Sequence, residues 1–150
     1  MIQLFDFQKP IGKELLKSIG VLDRTFFDSP WNENFYLSLA NNKQNYLFIV
    51  AKDQDKLQGF AIFQLYDESS GELLKILVSP KEREKCWGIK LLGKGIDYLT
   101  TRNYEKLFLN VAIDNIAAMG LYEKYHFNIS RQIKGFYRNG SDAFEMSLDL

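Results

Sequence analysis

The sequence predicts an α+β fold built on a mixed, mostly antiparallel sheet of about seven strands with about four helices. Three observations carry that expectation. The first half is dominated by short aromatic and β-branched runs separated by turn chemistry. The second half alternates strand, helix, strand, helix and ends in two further strands. One long segment, Lys85 to Arg102, places Ile89, Leu92, Ile96 and Leu99 three or four residues apart, as the buried face of a helix requires.

Taken in order, Ile2 to Phe7 alternates apolar and polar residues and reads as a strand. A helix is expected from about Gly12, with Leu15, Leu16, Ile19 and Leu22 as its stripe. Ser29-Pro30-Trp31-Asn32 is turn chemistry, and a second helix should begin near Asn32 with Phe35, Leu37 and Leu39 partly buried. Tyr46 to Ala51 is a strand, Asp53-Gln54-Asp55-Lys56 turns the chain, and Leu57 to Tyr66 returns antiparallel. Glu68-Ser69-Ser70-Gly71 makes the next turn, before a strand from Glu72 to Val78 that stops at Pro80. Beyond the long helix, Leu107 to Val111 reads as a buried strand and Asn115 as the cap of a helix reaching Tyr125. Asn128 to Tyr137 and Ala143 to Leu148 are the last strands, flanking a turn at Asn139-Gly140.

The 150 residues, 46 % apolar and 15 % aromatic, suit one domain, 1–150, with a real core, and no linker, repeat or low-complexity tract divides them. Lysine plus arginine equals aspartate plus glutamate at 19 each, which argues against electrostatic capture of nucleic acid or of an acidic membrane surface. Cys86, the one cysteine, cannot form an internal disulfide, and no Cys/His spacing suggests a metal. The N-terminus lacks the basic-then-apolar pattern of a secretory signal, and Tyr46 to Ala51 is far too short to span a bilayer, so the expected compartment is the cytoplasm.

Two segments carry candidate chemistry. In ILVSPKEREKCWGIKLL, Ile76 to Leu92, a strand gives way to a polar loop and then a helix whose first N–H groups could cradle a phosphate, with Arg83, Lys85 and Lys90 adding charge. A charged loop of this kind, taken alone, is more often a solvated helix cap. In LFLNVAIDNIAAMGLYEKYHF, Leu107 to Phe127, a strand delivers Asn110 to the open end of the sheet and the next helix carries Tyr122. A tyrosine there is commonly a packed core aromatic.

Together the segments resemble the GNAT acetyltransferases. The cofactor loop of that family, V-x-P-x-x-Q/R-x-x-G-x-G/A-x-x-L-L, is matched in register by Val78, Pro80, Arg83, Gly88, Leu91 and Leu92. The later pattern, L-E-V-x-x-x-N-x-x-A-x-x-L-Y-E-K-x-G-F, is matched at Leu109, Val111, Asn115, Ala118, Leu121 to Lys124 and Phe127. Phe27 with Pro30-Trp31, and Gly135-Phe136-Tyr137 followed by Asp142-Ala143 and Met146, resemble the RimI-type branch, which acetylates the N-terminal alanine of a ribosomal protein.

The resemblance implies the GNAT fold, acetyl-CoA as cosubstrate without a metal, and a primary-amine acceptor such as a protein N-terminus. It implies that the backbone of Ile76, Leu77 and Val78 pairs with the pantetheine arm, and that Arg83, Glu84, Lys85, Cys86, Trp87, Gly88 and Ile89 wrap the pyrophosphate. Asn115 would bond the cofactor, and Tyr122 would protonate the departing thiolate, phenol and thiol titrating within about two units of each other. Trp31, Tyr137 and Asp142 would contact the acceptor.

Three residues depart from the pattern: Cys86 and His126 replace glycines, and Asn110 replaces the glutamate base. An amide cannot take up a proton, so Asn110 orients a water relay or another group, among them Asp114, Asp142, Glu72 and Tyr137, takes the role. Two alternatives stay open: a small-molecule amine acetyltransferase, and a non-catalytic acyl-CoA-binding module.

Overall fold

The computed structural model describes residues 1–27, 29–40, 45–67 and 69–150, with the side chains of Arg83 and Glu84 excepted. Seven strands form one sheet in the order β1-β2-β3-β4-β5-β7-β6: β1 Ile2–Phe5, β2 Tyr46–Asp53, β3 Lys56–Tyr66, β4 Ser70–Val78, β5 Lys106–Ala112, β6 Asn128–Ile133 and β7 Ala143–Asp149. Every neighbouring pair is antiparallel except β4 with β5. The helices are α1 Lys13–Phe26, α2 Glu33–Leu39, α3 Trp87–Thr101 and α4 Ile116–Lys124.

Alternation along the strands builds two cores, one on each face. Leu47, Ile49, Ala61, Phe63, Leu107, Leu109 and Val111 face α3 and α4, together with Leu91, Leu92 and Leu99. Phe48, Val50, Phe60, Ile62 and Leu77 face α1 and α2, where Leu16, Ile19, Tyr36 and Leu39 meet them. Each buried valine, leucine, isoleucine or phenylalanine among them contributes about 1.5–3 kcal/mol relative to exposure. Asn32 caps α2, its side-chain oxygen accepting from Phe35 N–H at 2.7 Å.

The element boundaries differ from expectation at several places. The long helix starts at Trp87, because Pro80–Lys85 forms a separate 3-10 turn and Cys86 between them takes a left-handed conformation, φ +60°. Its buried face is Trp87, Leu91, Leu92, Gly95, Tyr98 and Leu99, with Ile89 and Ile96 only partly covered. Gly95 turns the helix this way: the Phe63 ring of β3 fills the space that a Cβ there would occupy. In α2 the buried aromatic is Tyr36, and Phe35 stays 40 % exposed. β6 stops at Ile133, so a loop over 134–142, wider than the expected turn, joins it to β7. Of the expected turn at Glu68-Gly71, Glu68 lies outside the described residues, and Ser70 and Gly71 already belong to β4.

One irregularity opens the site. β4 pairs with β5 only from Ser70↔Lys106 to Leu73↔Leu109. Beyond that point β4 remains bonded to β3, through Ile76↔Ala61 to Val78↔Gly59, and β5 remains bonded to β7 as far as Ala112↔Ala143. A register shift in β4 beside Ile62/Phe63 bends the strand where the two part.

Candidate active site

Among the described residues, the parting strands leave one edge of Ile76, Leu77 and Val78 without a strand partner, so their backbone groups on that side are open to an extended ligand. The 3-10 turn and α3 follow directly. The first bond of α3 joins Lys90 N–H to Cys86 C=O at 3.2 Å, which leaves the N–H groups of Trp87, Gly88 and Ile89 at the positive end of a 15-residue helix. No acidic residue occupies that first turn.

The side chains around this turn are already engaged. Lys85 bonds Glu82 at 2.9 Å and Asp53 at 3.2 Å, and the Glu82 contact first among these holds its ammonium above the usual lysine value. Trp87 is buried, its indole N–H reaching Glu82 Oε2 at 3.4 Å while Lys90 lies 4.8 Å above its ring. Cys86 is exposed. Its positive φ explains why glycine suits this position.

On the other arm, β5 carries Asn110 one residue past the last β4–β5 pair, and its buried Oδ1 has no hydrogen-bond partner among the described residues. A buried polar atom without a partner is uncommon and marks a place for a water or a ligand group. α4 begins at Asn115, whose side-chain oxygen accepts from Ala118 N–H at 3.2 Å. Tyr122 on this helix is 5 % exposed and packs its ring 5.8 Å from Phe127. Burial pushes the Tyr122 phenol well above its ordinary value, and the Tyr137 hydroxyl pushes it further. Burial and then Asp114 act the same way on Tyr137, so Tyr122, Tyr137 and Asp114 share one electrostatic neighbourhood.

Asp142 is held within its own loop. Its oxygens accept from Gly135 N–H at 2.9 Å and from the Gln132 side chain at 2.8 Å. The Gly135 bond is the main reason its carboxyl sits below the usual range. His126 is exposed at φ +67° just past α4. The N–H groups of His126 and Phe127 return to Glu123 C=O and Tyr122 C=O at 3.0 and 3.2 Å, a helix-stop geometry that favours glycine.

A cluster the motifs did not point to lies under Trp31. Lys75 on β4 bonds both oxygens of Asp23 on α1, at 3.0 and 2.9 Å, and both residues are buried. The Tyr36 hydroxyl and the Trp31 N–H donate to the same carboxylate at 2.6 and 2.9 Å. The Lys75 ammonium sits 4.3 Å from the Phe27 ring and 4.4 Å from the Trp31 ring. Burial draws its pKa below the lysine norm against the pull of Asp23. An aspartate four residues past Ile19 in the apolar stripe of α1, and a lysine amid apolar neighbours in β4, were the available signals. Trp31 is thereby tied to one arm of the cleft, while the loop with Tyr137 belongs to the other through β7.

The model of the acetyltransferase (GNAT) family matches residues 14–127. The chain belongs to the GNAT acetyltransferase family. Among GNAT proteins it is 33 % identical over 125 residues to the [ribosomal protein bS18]-alanine N-acetyltransferase of Salmonella typhimurium, covering 81 % of this chain and 82 % of that one. It is 28 % identical to N-alpha-acetyltransferase 30 of Schizosaccharomyces pombe, covering 93 % and 95 %. The crystal structure of the ribosomal-protein-S18-alanine N-acetyltransferase from Escherichia coli superposes with a TM-score of 0.86 at 28 % identity, over 99 % of this chain and 94 % of that one. The GNAT fold, the seven-stranded mixed sheet with four helices, and N-acetyltransferase membership therefore stand as expected from the sequence.

Proposed function

We propose that this protein transfers the acetyl group of acetyl-CoA to the α-amine of a protein N-terminus, with N-terminal alanine the favoured acceptor. The observation that carries the reading is the parting of β4 from β5 with the free N–H groups of α3 at its mouth. An extended pantetheine arm fits the unpaired edge of Ile76 to Val78, and a pyrophosphate fits the first-turn N–H groups of α3, Trp87 to Ile89. Arg83, Glu84 and Lys85 contribute backbone to that turn, and Asn115 retains a side-chain N–H₂ beyond the one bond its oxygen makes.

Within the cleft the acceptor nitrogen attacks the thioester carbonyl, whose developing oxyanion is held by the Val78 N–H. Tyr122 is the acid: burial keeps its phenol protonated across neutral pH, and it yields that proton to the sulfur as the C–S bond breaks. Trp31 and Tyr137 form walls for the acceptor, and Asp142 shapes the second wall by closing its loop.

The first measurement is calorimetric titration with acetyl-CoA, with CoA and adenosine diphosphate as comparisons, followed by turnover on peptides that begin with alanine. Micromolar binding with acetylation of the peptide α-amine is expected. Absence of binding at millimolar ligand would refute the reading. Tyr122→Phe should lower kcat on the order of 10²-fold or more while leaving acetyl-CoA affinity nearly unchanged. Binding with turnover of free polyamines or amino sugars but of no peptide would favour a small-molecule acceptor, and binding without any turnover would leave a non-catalytic module.

A further inference from the structure

A protein N-terminus is largely an ammonium below its pKa of about 7.7–8.0, so the transfer needs a proton acceptor before it needs the acid Tyr122. Asn110 stands at the parting of the strands but cannot take a proton. The register of β5 and β7 sets Glu145 directly opposite Asn110. Side chains directly opposite share a face, with Cβ atoms about 4.5–5.5 Å apart. The flanking pairs, Leu109↔Met146 and Val111↔Phe144, pack into the α3/α4 core, so Asn110 and Glu145 both point to the other face of the sheet.

Glu145 is the carboxylate best placed on that face. Its Oε2 is held by Arg131 of β6, at 3.2 Å from Nη2 and 3.4 Å from Nε, while no bond to Oε1 is found among the described residues. Its side chain is 27 % exposed, enough to pass a proton on to solvent. Two of the other carboxylates are engaged elsewhere: Glu72 accepts from the Tyr66 hydroxyl at 2.8 Å and pairs with Phe108, two residues before Asn110, and Asp142 closes its loop. Arg131 is the charged group facing Glu145 from β6, and Asn110 faces it from β5 without charge.

We propose that Glu145 is the proton acceptor of the transfer, acting through a water held against the unpartnered Oδ1 of Asn110. This rests on the acetyltransferase reading above. The acceptor ammonium gives one N–H proton to the water, which passes one of its own to Glu145 Oε1. The freed lone pair forms the C–N bond as the C–S bond breaks. Glu145 releases that first proton to solvent, the nitrogen's second proton leaves by the same relay and replaces the one Tyr122 gives to the thiolate, and the net release is one proton per turnover.

The test compares wild type, Glu145→Gln and the double variant Asn110→Glu/Glu145→Gln, reading kcat/KM against pH with an alanine-starting peptide and acetyl-CoA affinity by calorimetry. Glu145→Gln is expected to lose on the order of 10²-fold in kcat/KM, with a changed pH profile and unaltered acetyl-CoA affinity. The double variant, which moves the carboxylate one strand across, is expected to recover most of the loss. An active wild type with Glu145→Gln within twofold of it, or with the same pH profile, overturns this inference alone. So does a double variant no better than Glu145→Gln. A wild type that binds no acetyl-CoA or acetylates no amine overturns the transferase reading itself, and this inference with it.

Discussion

At the scale of single residues, the two positions where glycine was expected behave alike in backbone and differ in setting. Cys86 and His126 have φ of +60° and +67°, a region where a side chain costs roughly 1–2 kcal/mol. Cys86 joins the 3-10 turn to α3 at the mouth of the cleft, whereas His126 is exposed beyond α4 and closes only that helix. His126→Gly should therefore stabilise the fold by about 0.5–1 kcal/mol, part of the relieved strain being offset by the freer unfolded chain. A urea unfolding series measures this, and an unchanged or lowered midpoint would show that the imidazole makes compensating contacts. Asn110 illustrates the limit of residue-by-residue reading. The sequence exposes the missing carboxylate there, but Glu145 is 35 positions away and becomes its neighbour only through the β5–β7 register.

At the scale of elements, the connection from α1 to α2 is anchored by an ion pair reaching β4. Lys75, Asp23, Tyr36 and the backbone of Trp31 form one buried network, and every bond in it converges on the same carboxylate. Removing one partner leaves the other charge buried and alone, which typically costs 3–5 kcal/mol. Lys75→Met should therefore destabilise the protein by about 3–5 kcal/mol in urea unfolding. Asp23→Leu/Lys75→Met should recover much of that loss, because no lone charge remains. If the double variant is no more stable than Lys75→Met, the cost lies in packing and in the orphaned Tyr36 hydroxyl rather than in charge. If Trp31 walls the acceptor as proposed, Asp23→Leu/Lys75→Met, which removes the carboxylate holding the Trp31 backbone N–H, should raise KM for the peptide more than it lowers kcat.

At the scale of the whole molecule, carboxylates tie chain segments that are distant in sequence. Asp6, just past β1, accepts from the Tyr98 hydroxyl of α3 at 2.9 Å and from the Gln8 and Lys9 N–H groups at 3.0 Å. Burial alone would raise its carboxyl, but these donors outweigh it and hold the pKa below the usual value. Burial and the Asp6 bond push the Tyr98 phenol up to about 12. A carboxyl lowered by folding stabilises above its unfolded pKa, about 3.9, and that contribution disappears as pH falls through the folded value. Asp142 follows the same sign through its bonds to Gly135 and Gln132. Thermal stability should thus hold down to about pH 5 and fall below about pH 4. Asp6→Asn should flatten that acid limb, and a limb left unchanged would assign it to other carboxylates.

The same chain shows how far a sequence reaches by itself. Periodicity, caps and turn chemistry determined seven strands, four helices and their order, because each depends on neighbours within a few residues. The paired motifs determined the family for the same local reason, while the separate 3-10 turn ending at Cys86 was not among the expected elements. Boundaries moved where a distant group intervened, as when the Phe63 ring of β3 met Gly95 and turned the buried face of α3 away from Ile89. The parting of β4 from β5, the Lys75–Asp23 pair 52 positions apart and the Glu145–Asn110 pairing were decided by tertiary structure alone. Each depends on strand register and on the burial of charge. Both are properties of surfaces brought together by folding, and no stretch of sequence contains both members of such a pair within one element.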